Sequence, residues 1–214
     1  MTEFYLACFR DNVGSNIGWH RLNGKGYTTN VDQAHVYTLE QAQEAWDNAR
    51  SIDQPIVVHH VRKNIVWKVD YQYIPSISQI DDPYIKYVAL VKDNFGFLCD
   101  GNDVYWLNLA TGKTSTDFSS ATKLRYDQAL SLKDLYILLP FDIADAHKRP
   151  TFPITKFNLK QMVIEEGLIE PLRRSMKRKK SLSGKTRMQC PECGKFIWQD
   201  NPYDFTGCIY ESCK

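Results

Sequence analysis

No apolar run in this chain approaches the ~18 residues a helix needs to cross a bilayer; the longest lies around residues 135–141. The opening Met-Thr-Glu-Phe-Tyr places an acid where a secretory signal would carry basic residues. A soluble, intracellular protein of the cytoplasm, with no membrane partner, is therefore expected. Catalytic signatures are missing as well: there is no phosphate-binding Walker loop, dinucleotide fingerprint or hydrolase elbow. His20, His35, His59, His60 and His147 are scattered, with no carboxylate or nucleophile at a telling spacing. His59-His60 reads as part of a strand, which would aim the two rings at opposite faces and prevent joint ligation of one ion. No catalytic residue is expected, and the protein is expected not to be an enzyme.

Cysteine is scarce until the end of the chain. Only Cys8 and Cys99 precede residue 190, each in an apolar stretch that reads as core. Acidic residues are missing from residues 171–189, which carry eight Lys and Arg; residues 1–170 hold 17 basic against 21 acidic side chains, and residues 190–214 hold two against four. The net charge of +2 thus conceals a segregation that a solvated face would not show, since such a face mixes both signs. Arg173, Arg174, Lys177, Arg178, Lys179, Lys180, Lys185 and Arg187 form a segment suited to an anionic partner.

What is present begins with an internal echo. Strand-like residues 4–9 and 19–22 lead through Gly26-Tyr27-Thr28-Thr29 to a short run at residues 34–37. Thr38 with Gln41 three residues on is a capping-box signal, and Leu39, Ala42, Ala45, Trp46 and Ala49 follow at one-face helical spacing. Residues 56–58 read as a closing strand and residues 64–73 as another. The same order returns from Tyr87. At a fixed offset of 87, Trp19 meets Trp106, Thr29 meets Thr116, Ala34 meets Ala121, Gln41 meets Gln128 and Ala42 meets Ala129. The alternative is coincidence between stretches of like composition. The matched residues suit one helix packed on a small sheet, not acid–base or nucleophilic chemistry.

Beyond residue 150, two prolines interrupt regular structure, Asn158 offers an N-cap for a helix over residues 159–166, and residues 181–184 read as flexible linker. The expected fold is α+β: a sheet-plus-helix module at 1–75, a second at 84–149, a helical and basic linker at 150–189, and a zinc ribbon at 190–214.

The ribbon expectation rests on Cys190, Cys193, Cys208 and Cys213, spaced C-x2-C-x14-C-x4-C. Clustered cysteines in a chain without a secretory signal favour metal over disulfides, and four thiolates complete a tetrahedron around one structural Zn2+. Gly194 after Cys193 and Gly207 before Cys208 suit the tight turns that present paired sulfurs. Residues 196–198 and 203–205 read as a hairpin around Asp200-Asn201-Pro202.

Cys190-Pro191-Glu192-Cys193-Gly194-Lys195, followed by Phe205-Thr206-Gly207-Cys208 and Cys213-Lys214, resembles the C-terminal zinc ribbon of type IA DNA topoisomerases. The likeness covers residues 190–214 only, and Glu211-Ser212 stands where that family commonly has a proline. Nothing upstream is similar to a topoisomerase catalytic domain, so the resemblance implies single-stranded nucleic-acid contact without the activity. A looser pattern, Gly26-Tyr27-Thr28-Thr29-Asn30 through Ala34, Val36-Tyr37-Thr38 and Gln41-Ala42, is similar to small bacteriophage-encoded proteins of unassigned activity and implies an accessory role in the host cytoplasm.

Two functions follow as expectations. The first is nucleic-acid binding, single-stranded or nonspecific, through the basic segment, Lys195 and Trp198, with phosphates met by charge and bases by stacking. Phe205 and Tyr210 read more naturally as the ribbon's own core. The second is an inhibitor or adaptor whose tandem modules bind a host protein, such as a defence nuclease or the transcription machinery.

Overall fold

The continuous apolar run Phe4–Cys8 forms the middle of strand β1 (Glu3–Val13), where all five residues are buried. A strand covered on both faces shows such a run in place of alternation. β1 pairs antiparallel with β2 (Asn16–His20), and β3 (Tyr27–Thr28) extends the sheet beyond β2. β4 (Val36–Thr38) leads directly into helix α1 (Leu39–Asn48), whose start is closed reciprocally: Gln41 N donates to Thr38 Oγ1 at 3.3 Å and Thr38 N to Gln41 Oε1 at 3.0 Å. β5 (Asp53–Val57) closes the other side of β1, followed by helix α2 (Val58–Lys63) and strand β6 (Val66–Val69).

This computed structural model describes residues 2–48, 52–93, 96–171 and 186–199, together with Phe205, Gly207, Cys208, Tyr210 and Cys213. It is a mixed α+β fold, rich in sheet, in two compact units, residues 1–169 and 170–214.

The chain continues through β7 (Tyr87–Asp93), β8 (Gly96–Phe97), β9 (Cys99–Asp100), β10 (Asp103–Val104), β11 (Trp106–Asn108) and β12 (Lys113–Ser115). Helix α3 (Tyr126–Leu132), β13 (Tyr136–Pro140), helix α4 (Phe141–Ala146) and β14 (Lys148–Thr151) follow. The second sheet runs β12-β11-β7-β13, against β3-β2-β1 with β5 in the first. Local contacts match at an offset of 87. Trp19 and Trp106 are both fully buried. Asn30 accepts from Asp32 N and Asp117 from Ser119 N, at 3.0 and 2.9 Å. His35 N donates to His20 O and Thr122 N to Leu107 O, at 2.9 and 3.0 Å. Past the helices, β5 and β13, like α2 and α4, start 83 residues apart: α3 is three residues shorter than α1, and one fewer position separates it from the next strand.

β6 does not join the first sheet. It pairs antiparallel with β14, Val66 opposite Thr151 and Val69 opposite Lys148. Val69 and Ile74 are buried in the core of the second sheet, whereas Phe152, Met162, Val163 and Leu168 are buried in the core of the first. Each half thus completes the other's core. Boundaries expected at 75/84 and 149/150 accordingly do not separate independent bodies, and residue 150 lies inside β14 instead of opening a linker. Asn158 accepts from Gln161 N at 3.2 Å as expected of a cap, but the turn it starts is a single π-turn (Lys160–Ile164) that puts both Met162 and Val163 inward.

Where the halves meet, the turn after β1 abuts the turn between β9 and β10. A Cβ on Gly101 (φ +64°) would lie 2.6 Å from Gly14 N, so the backbones touch at a distance only glycine permits. Around that contact sits a buried polar cluster. Asp103 is fully buried between Lys68 Nζ at 3.5 Å and Arg149 Nη2 at 2.7 Å, and it accepts from Asn16 Nδ2. Lys68, 2% exposed, also donates to Ser15 Oγ at 3.0 Å and approaches Asp100 at 3.4 Å.

Candidate metal centre and nucleic-acid interface

In the C-terminal unit, strands β15 (Thr186–Gln189) and β16 (Phe196–Gln199) pair antiparallel, with Arg187 opposite Trp198 and Gln189 opposite Phe196. Arg187 therefore lies in this hairpin, not in a preceding linker. The hairpin encloses the first cysteine pair. Gly194 N donates to Cys190 O at 2.9 Å and Cys190 N to Lys195 O at 2.8 Å, and Gly194 takes φ +71°, a left-handed angle suited to glycine. The sequence places residues 196–198 in a hairpin with residues 203–205 around residues 200–202; the pairing seen for residues 196–199 is with residues 186–189, and residues 200–204 lie outside the described residues.

All four cysteines come together, their sulfurs within 4.8 Å of one another. Cys190 and Cys213 are 3.5 Å apart, Cys193 and Cys208 3.7 Å. A disulfide would need ~2.05 Å. A tetrahedron with metal–sulfur bonds of ~2.3 Å has sulfur–sulfur edges of about 3.8 Å. The sulfurs thus stand at the edge length of a tetrahedral metal site, and all four ligand positions would be thiolate.

The thiols do not share one environment. The Cys193 amide facing the Cys190 sulfur, with help from the Glu192 amide and against the effect of burial, brings Cys190 down to about 7. Cys213 is pushed well up, first by its contact with Cys193 and then by burial. One sulfur carries charge readily and makes ionisation of its neighbour harder. A bound dication removes that conflict by displacing the protons.

On the hairpin surface, Phe196 and Trp198 are exposed (49% and 56%), whereas Ile197 and Gln199, which alternate with them along the strand, are buried. The Arg187 guanidinium lies 3.6 Å from the centre of the Phe196 ring. Lys195 Nζ lies 5.0 Å over the Tyr210 ring, whose hydroxyl donates to Phe196 O at 3.2 Å. Of the expected nucleic-acid residues, Arg187, Lys195 and Trp198 thus share this hairpin. Arg173, Arg174, Lys177, Arg178, Lys179, Lys180 and Lys185 lie outside the described residues. No helix among the described residues is long and apolar enough to cross a membrane.

Among the described residues of 1–169, two further groups have ligand atoms within 4.8 Å of one another. In Cys8–His20–Asp53, the Cys8 thiol is fully buried and pushed up by burial and by Asp11, which suits the core role expected of it. The other is His59–His60–Glu166. The strand expected at His59-His60 is instead helix α2, because Val61 fills the core and turns the chain. The two rings, centroids 4.4 Å apart, therefore lie side by side, where a strand would have opposed them. Their carboxylate partner comes from a distant segment, so no spacing signal could have revealed it.

Scans of protein-family models and searches of curated proteins and solved structures find no match to this chain.

Proposed function

We propose that this is a non-catalytic zinc-ribbon protein that binds single-stranded nucleic acid through the ribbon hairpin and the basic segment before it. The observation carrying this reading is the outward face of β15 and β16, where Phe196 and Trp198 are half exposed beside Arg187. Aromatic faces next to guanidinium suit unstacked bases, each worth about 1–3 kcal/mol, and the basic segment suits the phosphates. The likeness to topoisomerase ribbons points the same way. Four thiolates favour zinc over hard cations such as magnesium or calcium.

The matched hydrogen bonds and strand orders of the two sheets support duplication of one sheet-plus-helix module. A phage-borne accessory or anti-defence role, with these modules holding a host protein, is a second reading. Exposed Tyr73, Ile77 and Tyr84, at 62%, 72% and 94%, favour it by offering apolar contact surface near the junction of the modules.

Fluorescence titration with a single-stranded oligonucleotide tests the first reading. Binding is expected to weaken with salt at a log–log slope of about −3 to −4 for ~5 phosphates on a single strand. Trp198→Ala is expected to weaken it about 5- to 150-fold. A flat salt dependence together with unchanged affinity in Trp198→Ala would move the function away from the ribbon.

A further inference from the structure

A second metal site, separate from the cysteines, is the inference that the structure of residues 1–169 carries furthest. His59 Nε2 and His60 Nε2 both lie 3.4 Å from the same oxygen of Glu166, Oε1. That separation exceeds an ordinary N–H···O hydrogen bond of ~2.7–3.2 Å. It equals the edge of a tetrahedron whose centre lies ~2.0–2.1 Å from nitrogen and oxygen, about 3.3–3.4 Å. Two imidazole nitrogens thus converge on one carboxylate oxygen at the spacing of ligands around zinc.

The supporting elements make the convergence rigid. Val61, fully buried, anchors α2, while Arg62 Nε donates to Tyr5 OH at 3.0 Å. Glu166 follows the π-turn whose Met162 and Val163 are in the core, and Leu168, 2% exposed, holds its other side. The Glu166 and His60 side chains are only 21% and 28% exposed, and His59 is open to solvent at 61%. The site borders a cleft of about 360 Å³ that also takes in Thr2 and Glu3. Entry is open, and a second carboxylate lies nearby. At the corresponding place in α4 the second half carries Asp142-Ile143, so the ligand set occurs only once in the duplicated arrangement.

We propose that His59, His60 and Glu166 bind a divalent transition cation of zinc type, with a fourth position left to water. The donor set, two imidazoles and a carboxylate, suits zinc and neighbouring transition metals and not calcium or magnesium. The ion would tie α2 to the last segment of the first unit.

The test uses the intact chain with its cysteine site already loaded. Calorimetric titration with Zn2+ is expected to show one additional equivalent. Co2+ in that equivalent should give ligand-field bands without thiolate charge-transfer bands. Glu166→Gln and His60→Gln should each weaken the added equivalent by at least about 10- to 100-fold, the loss that even outer-sphere partners cause. Glu165→Gln, beside the site, should leave it unchanged, and circular dichroism checks that each variant is folded. The proposal is overturned if the loaded wild-type chain takes up no further zinc at micromolar free metal. It is equally overturned if folded Glu166→Gln and His60→Gln bind as the wild type does, which would mark the uptake as adventitious surface histidine binding.

Discussion

Chelating the zinc proposed for the cysteine site, or replacing Cys190 with Ser, is expected to unfold the proposed ribbon while residues 1–169 stay folded. The expected loss is large, since zinc contributes on the order of 10–16 kcal/mol of apparent free energy to peptides of this kind. Among the described residues little else is buried there: within residues 186–199 only Cys190, Ile197 and Gln199 are. A segment this short cannot bury enough apolar area to offset the entropy of ordering it. Amide exchange on the intact chain reads the effect directly. Protection of β15 and β16 should vanish on chelation, while that of β1 and β7 should persist. Metal analysis of wild-type protein in reducing buffer should find zinc, and Cys190→Ser should release it. Because thiolates must be free of protons to ligate, release should also occur as pH falls. Protection that survives chelation would show that the four sulfurs meet for a reason other than metal.

Asp103→Ala is expected to destabilise residues 1–169 by about 3–5 kcal/mol, the effect of removing one member of a buried charge pair. Lys68, 2% exposed, would keep only Asp100 as a charged partner, and Arg149 would lose its 2.7 Å contact. Denaturant unfolding measures this. Combining Asp103→Asn with Lys68→Met should cost less than the sum of the single changes, because the second removes the charge that the first strands. Additive losses, or a single loss below about 1 kcal/mol, would mean that the cluster is not a coupled unit. Acid should act on the same cluster. Burial alone would raise the Asp100 carboxyl, but the Ser15 hydroxyl and amide, with Lys68, outweigh it and hold it below its ordinary value. A depressed carboxyl contributes stability that is fully present above its unfolded value of about 3.9 and is lost as pH falls through the folded one. The acid limb of the stability curve should therefore flatten in Asp100→Asn.

The cysteine cluster was legible because its information is local. Two pairs with short internal spacing, each beside a glycine, form a pattern readable from neighbouring residues, and the four sulfurs lie within 4.8 Å of one another. The Thr38–Gln41 cap was legible for the same reason, since it involves residues only three positions apart. Helix α2 was misread as strand because Val57, Val58 and Val61 favour extended backbone in isolation. Burial of Val61 in the first core overrides that preference.

What the sequence alone determined is the four-cysteine centre, the alternation of sheet and helix, and the segregation of charge toward the last quarter of the chain. Only the tertiary structure decided that β6 and β14 leave their own sheets to pair, that Lys68 and Asp103 share a buried cluster, and that Glu166 reaches His59 and His60. Those features depend on contacts between residues far apart in the chain, set by which apolar faces must cover one another. Val69 and Phe152 are buried in each other's halves, and the polar groups flanking them follow.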